Sequence, residues 1–430
     1  MIVSRRAALS VALCAILTLP LWSSARLAGL PVTSALAKSM TTRLYLLQQP
    51  APTRFLPMDP DTLADLPDAP AIYVEKSLSY PSVVAEPGGS LLAVTAVQQR
   101  AGYPLRARDI TVRIVNALTF NQVARFHPKV PISLTGMSAD GLKLYGFQTN
   151  GNQQSPVHFD VLDAHNGAVV SRALLTMHCC PPSLVDLPSH RLYVLEESSV
   201  TTHVADVASY DLSTGRLLHR QVLDGVLAGI WDSGQTAGDS PIVDSWMPGF
   251  ALSPDGRSIA VLDGESDMLR IIDAGTLQVI RSEHLSPPPS LFDRVAGWLG
   301  IAPAAASAKE FEGVNMGMTF SPDGQSLYVW GRKSGMGKDG TFASSGLGLR
   351  KIDVASGAVT VQALNGADLL WLQLSPGGKA LYTLEPGPIG NGAFILHRLD
   401  ATTLKVTAER TIESTSQTLP QLFLLPAMTS

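Results

Sequence analysis

Cysteine is nearly absent from this sequence of 430 residues: Cys14, Cys179 and Cys180 are the only three. That excludes a disulfide-dense scaffold, and no Cys-x-x-Cys pair exists for a zinc site or a c-type haem. Charge is sparse too. Asp, Glu, Lys and Arg make up 16% of the chain, against roughly 25% in average proteins. The formal net charge is −4, so there is no basic field to hold nucleic acid. What the chain has in quantity is turn formers, 36 Gly and 30 Pro. With so few charges, they point to a β-rich globular body rather than a disordered or coiled-coil one.

The first segment reads as an address. Arg5 and Arg6 precede an apolar run from Ala7 to Trp22, followed by small and polar residues. This is a secretory signal pattern over residues 1–37, with cleavage expected near residue 25 or 37. The apolar run falls short of the ~20 residues that span a bilayer, so no stable membrane span is expected after cleavage. An uncleaved N-terminal anchor is the alternative. Ser4-Arg-Arg-Ala-Ala-Leu9 fits a twin-arginine signal only in part, and Leu13 before Cys14 argues against a lipoprotein site. The expected location is extracytoplasmic, at the cell surface, in a periplasm-type compartment or secreted.

Residues 38–430 are internally repetitive. Gly249-Phe-Ala-Leu-Ser-Pro-Asp-Gly-Arg-Ser-Ile-Ala-Val-Leu262 aligns with Gly317-Met-Thr-Phe-Ser-Pro-Asp-Gly-Gln-Ser-Leu-Tyr-Val-Trp330 and with Trp371-Leu-Gln-Leu-Ser-Pro-Gly-Gly-Lys-Ala-Leu-Tyr-Thr-Leu384. Fainter copies surround residues 86–89, 138–141 and 187–190. Each copy reads as strand, tight turn, strand, because Pro presets φ and Gly accepts positive φ. A second turn follows each first one, as in Asp163–Gly167, Asp211–Gly215, Asp273–Leu277, Asp353–Gly357 and Asp400–Leu404. Two turns joining four strands make one antiparallel sheet, and stacked sheets of this kind are propeller blades.

The fold class expected is therefore all-β: a seven-bladed β-propeller of four-stranded antiparallel blades, with six or eight blades as the alternatives. Six modules are explicit. The seventh is expected to be shared by the termini, with Thr41–Gln49 and Asp59–Leu63 supplying later strands and Gln421–Leu425 the first. Residues 38–430 then form one domain, with insertions at 226–248, 285–316 and 331–348.

On Ser253-Pro-Asp-Gly256 and Ser321-Pro-Asp-Gly324 the chain resembles the YVTN-type propellers of bacteria and related WD-repeat-like propellers with this turn. The resemblance covers nearly everything after residue 40 and implies the propeller fold. That family includes binding and scaffold proteins, and related propellers include lactonases and heavy subunits of quinoprotein dehydrogenases. Fold resemblance alone does not select among them.

Strand order puts the first-to-second and third-to-fourth turns on one face. The second-to-third loops and the crossovers between blades share the other face, where the long insertions fall. Loops on a rigid scaffold carry binding groups, so the long-loop face is the expected working surface. Within residues 226–248, Trp231, Asp232, Asp244 and Trp246 are candidate anchors for a ligand or partner, or else a loop folding its Trp side chains onto the rim. Residues 290–301 read as a short amphipathic helix with Phe292 and Trp298 on its apolar side. Such a helix would pack on its own propeller or dock a partner. Cys179 and Cys180 in a crossover could form a vicinal disulfide or stay as free thiols.

Enzyme signatures do not assemble. There is no Gly-x-Ser-x-Gly elbow, and Gly331–Lys338 fails as a P-loop because Arg332 stands where the first Gly belongs and Asp339 replaces Ser or Thr. No cofactor, metal or catalytic residue is assigned. The function expected is a non-catalytic interaction module for a protein, peptide or glycan. A lactonase-like hydrolase and a quinoprotein-dehydrogenase-type heavy chain are the alternatives.

Overall fold

The computed structural model describes residues 42–48, 54–66, 72–73, 83–87, 89–97, 109–117, 119–148, 157–175, 182–198, 202–237, 240–285, 312–336, 342–387, 393–413 and 421–426. Strands β1 (Thr42–Gln48), β2 (Arg54–Met58) and β3 (Ile72–Tyr73) begin the first sheet. The second holds β4 (Val83–Ala85), β5 (Leu91–Val97), β6 (Ile110–Asn116) and β7 (Gln122–Phe126). The third holds β8 (Ile132–Met137), β9 (Lys143–Gln148), β10 (His158–Asp163) and β11 (Val169–Leu174). Next come β12 (Ser183–Asp186), β13 (Arg191–Glu197), β14 (Val204–Asp211) and β15 (Leu217–Leu227).

An inserted pair follows, β16 (Gly229–Ala237) and β17 (Ser240–Met247). Then come β18 (Gly249–Leu252), β19 (Ser258–Asp263), β20 (Met268–Asp273) and β21 (Val279–His284). After them lie β22 (Glu312–Phe320), β23 (Ser326–Met336), β24 (Phe342–Asp353) and β25 (Val359–Ala363). The last full sheet holds β26 (Trp371–Leu374), β27 (Ala380–Pro386), β28 (Ala393–Asp400) and β29 (Val406–Glu413). Finally β30 (Gln421–Pro426) returns to the first sheet and pairs antiparallel with β1, from Thr42↔Pro426 to Leu47↔Gln421.

The chain is thus an all-β propeller of four-stranded antiparallel blades, with one blade closed by strands from both ends of the sequence. Six sheets are four-stranded, the alternative number above rather than the expected seven uniform ones. The remaining sheet has six strands, in the order β16-β17-β22-β23-β24-β25, because the inserted pair joins the edge of β22.

Apolar clusters fill the space between neighbouring sheets rather than one central core. Tyr193, Val207 and Leu223 meet Phe250, Ile259 and Leu277 across one interface. Another is shared by the terminal-closure sheet and β26–β29, where Leu44, Leu46 and Met58 meet Trp371, Tyr382 and Leu396. The tight-turn ends add polar latches. Tyr193 donates to the carbonyl of Ala274 (3.1 Å), Tyr328 to that of Ala401 (2.8 Å) and Tyr382 to that of Pro60 (2.9 Å). In each case the accepting carbonyl belongs to the turn of the next sheet, and a cation reaches it as well: Arg191, Lys351 and Arg398 respectively.

Both turn types stand on local hydrogen bonds. In the first, Ser253 donates to Asp255 (2.6 Å) and accepts from the Ser258 amide (2.9 Å), while Gly256 sits at φ 71°. In the second, Asp273 accepts from the Thr276 amide (2.7 Å) and hydroxyl (2.9 Å). These bonds hold the carboxyls of Asp255 and Asp273 below the usual aspartate range. The turn's fifth residue needs positive φ. Gly215 supplies it at 70°, and a Cβ there would also lie 1.9 Å from the Arg172 carbonyl of the neighbouring sheet. Leu63, Leu277 and Leu404 take the same conformation and bury their side chains.

Candidate functional site

The insertion read as loop over residues 226–248 is regular structure. β15 carries on to Leu227, and the chain then turns out of its blade at Ala228 and Gly229. The Ala228 amide donates to the His203 carbonyl (3.0 Å), and Gly229 adopts φ 132° with Glu197 Oε2 3.1 Å from where a Cβ would stand. His203 Nδ1 and Glu197 Oε1 are hydrogen-bonded at this root.

From there β16 and β17 make an antiparallel pair with Gly229↔Trp246, Ile230↔Ser245, Trp231↔Asp244 and Asp232↔Val243 in register. The register shifts between Asp232 and Thr236. β17 then runs parallel to β22, with Ser245↔Gly313, Trp246↔Val314 and Met247↔Asn315. Because β22 is the first strand of its four-stranded run and 312–315 is its leading end, the pair sits on the long-loop side. Ser245 donates to Asn315 Oδ1 (3.4 Å), with both side chains buried.

Four of the candidate residues are thereby brought onto one hairpin. Trp231 and Asp244 stand opposite each other, and Asp232 follows Trp231. Trp246 is 7% exposed and packs with Ala251, Leu285, Val314 and Met316, so its side chain anchors the hairpin to the propeller. Phe292, Trp298, Cys179 and Cys180 lie outside the described residues, as does the leader over 1–37. The insertion over 331–348 is largely an extension of β23 and β24, paired as far as Met336↔Phe342.

The sheets and the junctions between them also hold charges that the sequence reading missed. Glu196 accepts from the Tyr210 hydroxyl (2.8 Å) and from Arg220 (2.7 Å), which also lies 3.6 Å from Asp206. Burial pushes the Asp206 carboxyl up to about 6, against the pull of Arg220 and helped by the Glu196 charge. Arg270 donates to the Asp224 carbonyl of the preceding blade (2.5 Å), and Arg350 to Asp267 of its neighbour (3.0 Å). Asp160 holds Arg172 through two bonds, at 2.7 and 2.9 Å. His397 sits between Glu385 (3.1 Å) and Glu409 (3.2 Å). Burial raises the Asp368 carboxyl, which faces Arg332 at 3.8 Å.

A signal for several of these groups is present in the chain. Asp160, Arg270, Arg350 and His397 each stand three residues before the Asp that opens the second turn of their repeat. An ionisable group at a fixed offset in a buried strand marks a position that needs a polar partner. Asp160 with Arg172, Glu196 and Asp206 with Arg220, and His397 with its two glutamates join strands of one sheet, whereas Arg270 and Arg350 reach across to a neighbouring blade. Among the described residues no group of three or more His, Cys, Asp or Glu could hold a metal ion.

No family model matches the chain, and no curated protein matches it either. Solved structures do. The periplasmic gluconolactonase PpgL of Pseudomonas aeruginosa is similar over 90% of this chain and 100% of its own, at 14% identity and a TM-score of 0.50. The β-propeller domain of Myceliophteria thermophila Cps50 (Swd1) is similar over 80% of this chain and 89% of its own, at 13% identity and a TM-score of 0.44. The WD40 domain of Toxoplasma gondii coronin gives 77%, 70%, 10% identity and 0.44. At such identities the likeness is one of fold, and the class it defines together with the sheets above is the β-propeller.

Proposed function

We propose that this chain is an exported, non-catalytic seven-bladed propeller that binds a partner through its long-loop face, with the β16–β17 hairpin as its recognition element. The seventh blade is the β22–β25 run inside the six-stranded sheet. The observation that carries the reading is the hairpin itself: it is the one departure from blade regularity among the described strands, and it stands on the long-loop side. Among the described residues the charged pairs are scattered over separate sheets, which favours binding over hydrolysis, since a hydrolase must gather its acid and base around one bond. The leader pattern over 1–37 supports export.

Trp231→Ala tests the reading. Truncating a central aromatic contact costs roughly 2 kcal/mol of binding. Retention of cross-linked partner by the exported protein should fall about thirtyfold, with Tm changed by no more than a few degrees. Unchanged retention with a large fall in Tm would show that Trp231 only packs.

A further inference from the structure

Four Asn-Gly pairs occur in the sequence, at 150–151, 166–167, 365–366 and 391–392, and the second and third lie among the described residues. Asparagine before glycine is the least hindered place for a main-chain nitrogen to reach a side-chain amide, because glycine has no Cβ to obstruct ring closure. Both described pairs are followed by Ala, so their local chemistry is nearly the same: His165-Asn-Gly-Ala168 and Leu364-Asn-Gly-Ala367. The fold treats them differently. Asn166 belongs to the second turn of its repeat. Its own amide donates to Asp163 Oδ1 (3.1 Å), its carboxamide oxygen accepts from the Ala168 amide (2.8 Å), and the Gly167 amide donates to the Asp163 carbonyl (2.8 Å). Gly167 is buried at φ 71°, with the Phe126 ring of the neighbouring sheet 2.3 Å from where a Cβ would stand. Both the attacking nitrogen and the amide it would attack are tied down.

Asn365 and Gly366 are exposed in the crossover from β25 to β26, on the long-loop side. The Ala367 amide donates to the Leu364 carbonyl (2.9 Å), closing a turn with Gly366 at φ 80°. No described group bonds the Asn365 carboxamide or the Gly366 amide, and nothing stands within 4 Å of a Cβ built on Gly366. We propose that Asn365 is a modification site, deamidated without an enzyme in the folded protein. The Gly366 nitrogen bonds to Asn365 Cγ, the bond from Cγ to the side-chain nitrogen breaks, and the Gly366 proton passes through solvent to the departing nitrogen, which leaves as ammonia. Water then opens the succinimide to aspartate or isoaspartate. The product puts a new carboxylate on the crossover that already carries Asp368 opposite Arg332 (3.8 Å). The long-loop side thus gains negative charge with the age of the molecule, whatever partner that face binds.

The test incubates the full chain near neutral pH, folded and in parallel unfolded in urea, and samples both over time by peptide mapping with mass spectrometry. Fragment ions place the mass gain from amide to acid at a single residue. In the folded protein Asn365 should deamidate at least about tenfold faster than Asn166, since each hydrogen bond that must open ahead of ring closure adds to the barrier. In urea the two rates should converge, because the Gly-Ala that follows is the same. Asn365→Gln, which would have to close a larger ring, should leave the tryptic peptide 352–379 unmodified over the same period. Equal rates at Asn365 and Asn166 in the folded protein overturn the proposal. So does an Asn365 rate that rises more than about tenfold on unfolding, which would mean that the turn protects it. A difference between the two sites that persists unchanged in urea would assign it to local sequence and overturn the role given to the fold.

Discussion

At the scale of single residues, charge burial sets a pH dependence opposite in sign to that of the turn aspartates, whose lowered carboxyls lose their stabilisation as pH falls. Asp206 is 1% exposed, directly opposite Glu196 in the ladder, with one guanidinium serving both. Its folded pKa of about 6 lies above the ordinary aspartate value. The folded state therefore holds this proton more tightly than the unfolded chain. The stabilisation is complete below the unfolded value and disappears as pH rises through the folded one, so stability declines between about pH 4 and pH 6 from this group. Asp206→Asn keeps the shape without the charge. Urea titrations from pH 4 to 8 should show a flatter profile for the variant, with a gain over the parent above pH 6 on the order of 2 kcal/mol. A parent profile that rises from pH 4 to 7, unchanged by the substitution, would mean that Arg220 fully compensates both carboxylates.

At the scale of elements, what was legible is what is local. The Ser-Pro-Asp-Gly and Asp-x-x-Thr turns announce themselves because their side chains bond amides two or three residues away, as Asp255 does with Arg257 and Asp273 with Thr276. His190 takes the positive φ of the missing glycine at 53°, which is why the blade holding residues 182–190 forms without an Asp-Gly. The hairpin was not legible as strand. β17 meets β22 nearly seventy residues further along the chain, in parallel, and parallel pairing has no turn to signal it. The charged strand positions were legible in principle, through their offset from the turn, but a lone ionisable group in a strand does not reveal whether its partner lies in its own sheet, as for Asp160, or across a blade junction, as for Arg350.

The root of the hairpin can be separated from its outer end. Trp246 is buried in the cluster between β18–β21 and β22–β25, so Trp246→Ala should cost ~3–5 kcal/mol in chemical denaturation, the range for emptying a large aromatic site. The same variant should speed amide exchange across 229–247 before the rest of the propeller. A loss below ~1 kcal/mol would mean that the hairpin detaches without disturbing the blades.

At the scale of the whole molecule, closure decides whether the ring behaves as one unit. β30 covers β1 along six register pairs, and Leu44, Tyr45 and Leu46 of β1 are almost wholly buried. β1 also lies in the interface with β26–β29, through Leu44 and Leu46, and in that with β4–β7, through Tyr45. Removing the closing strand therefore loosens two junctions as well as one sheet. A chain ending at Glu413 should lose cooperative melting and associate with rising concentration, because an uncovered strand edge pairs with another copy. Size exclusion and thermal unfolding read both effects. A synthetic peptide spanning residues 415–430, added in trans, should restore the monomer and raise Tm as its concentration exceeds its Kd, since a ligand bound only to the folded ring stabilises it by mass action. A truncated chain that stays monomeric with the Tm of the parent would show that the blade junctions, rather than the shared sheet, hold the circle shut.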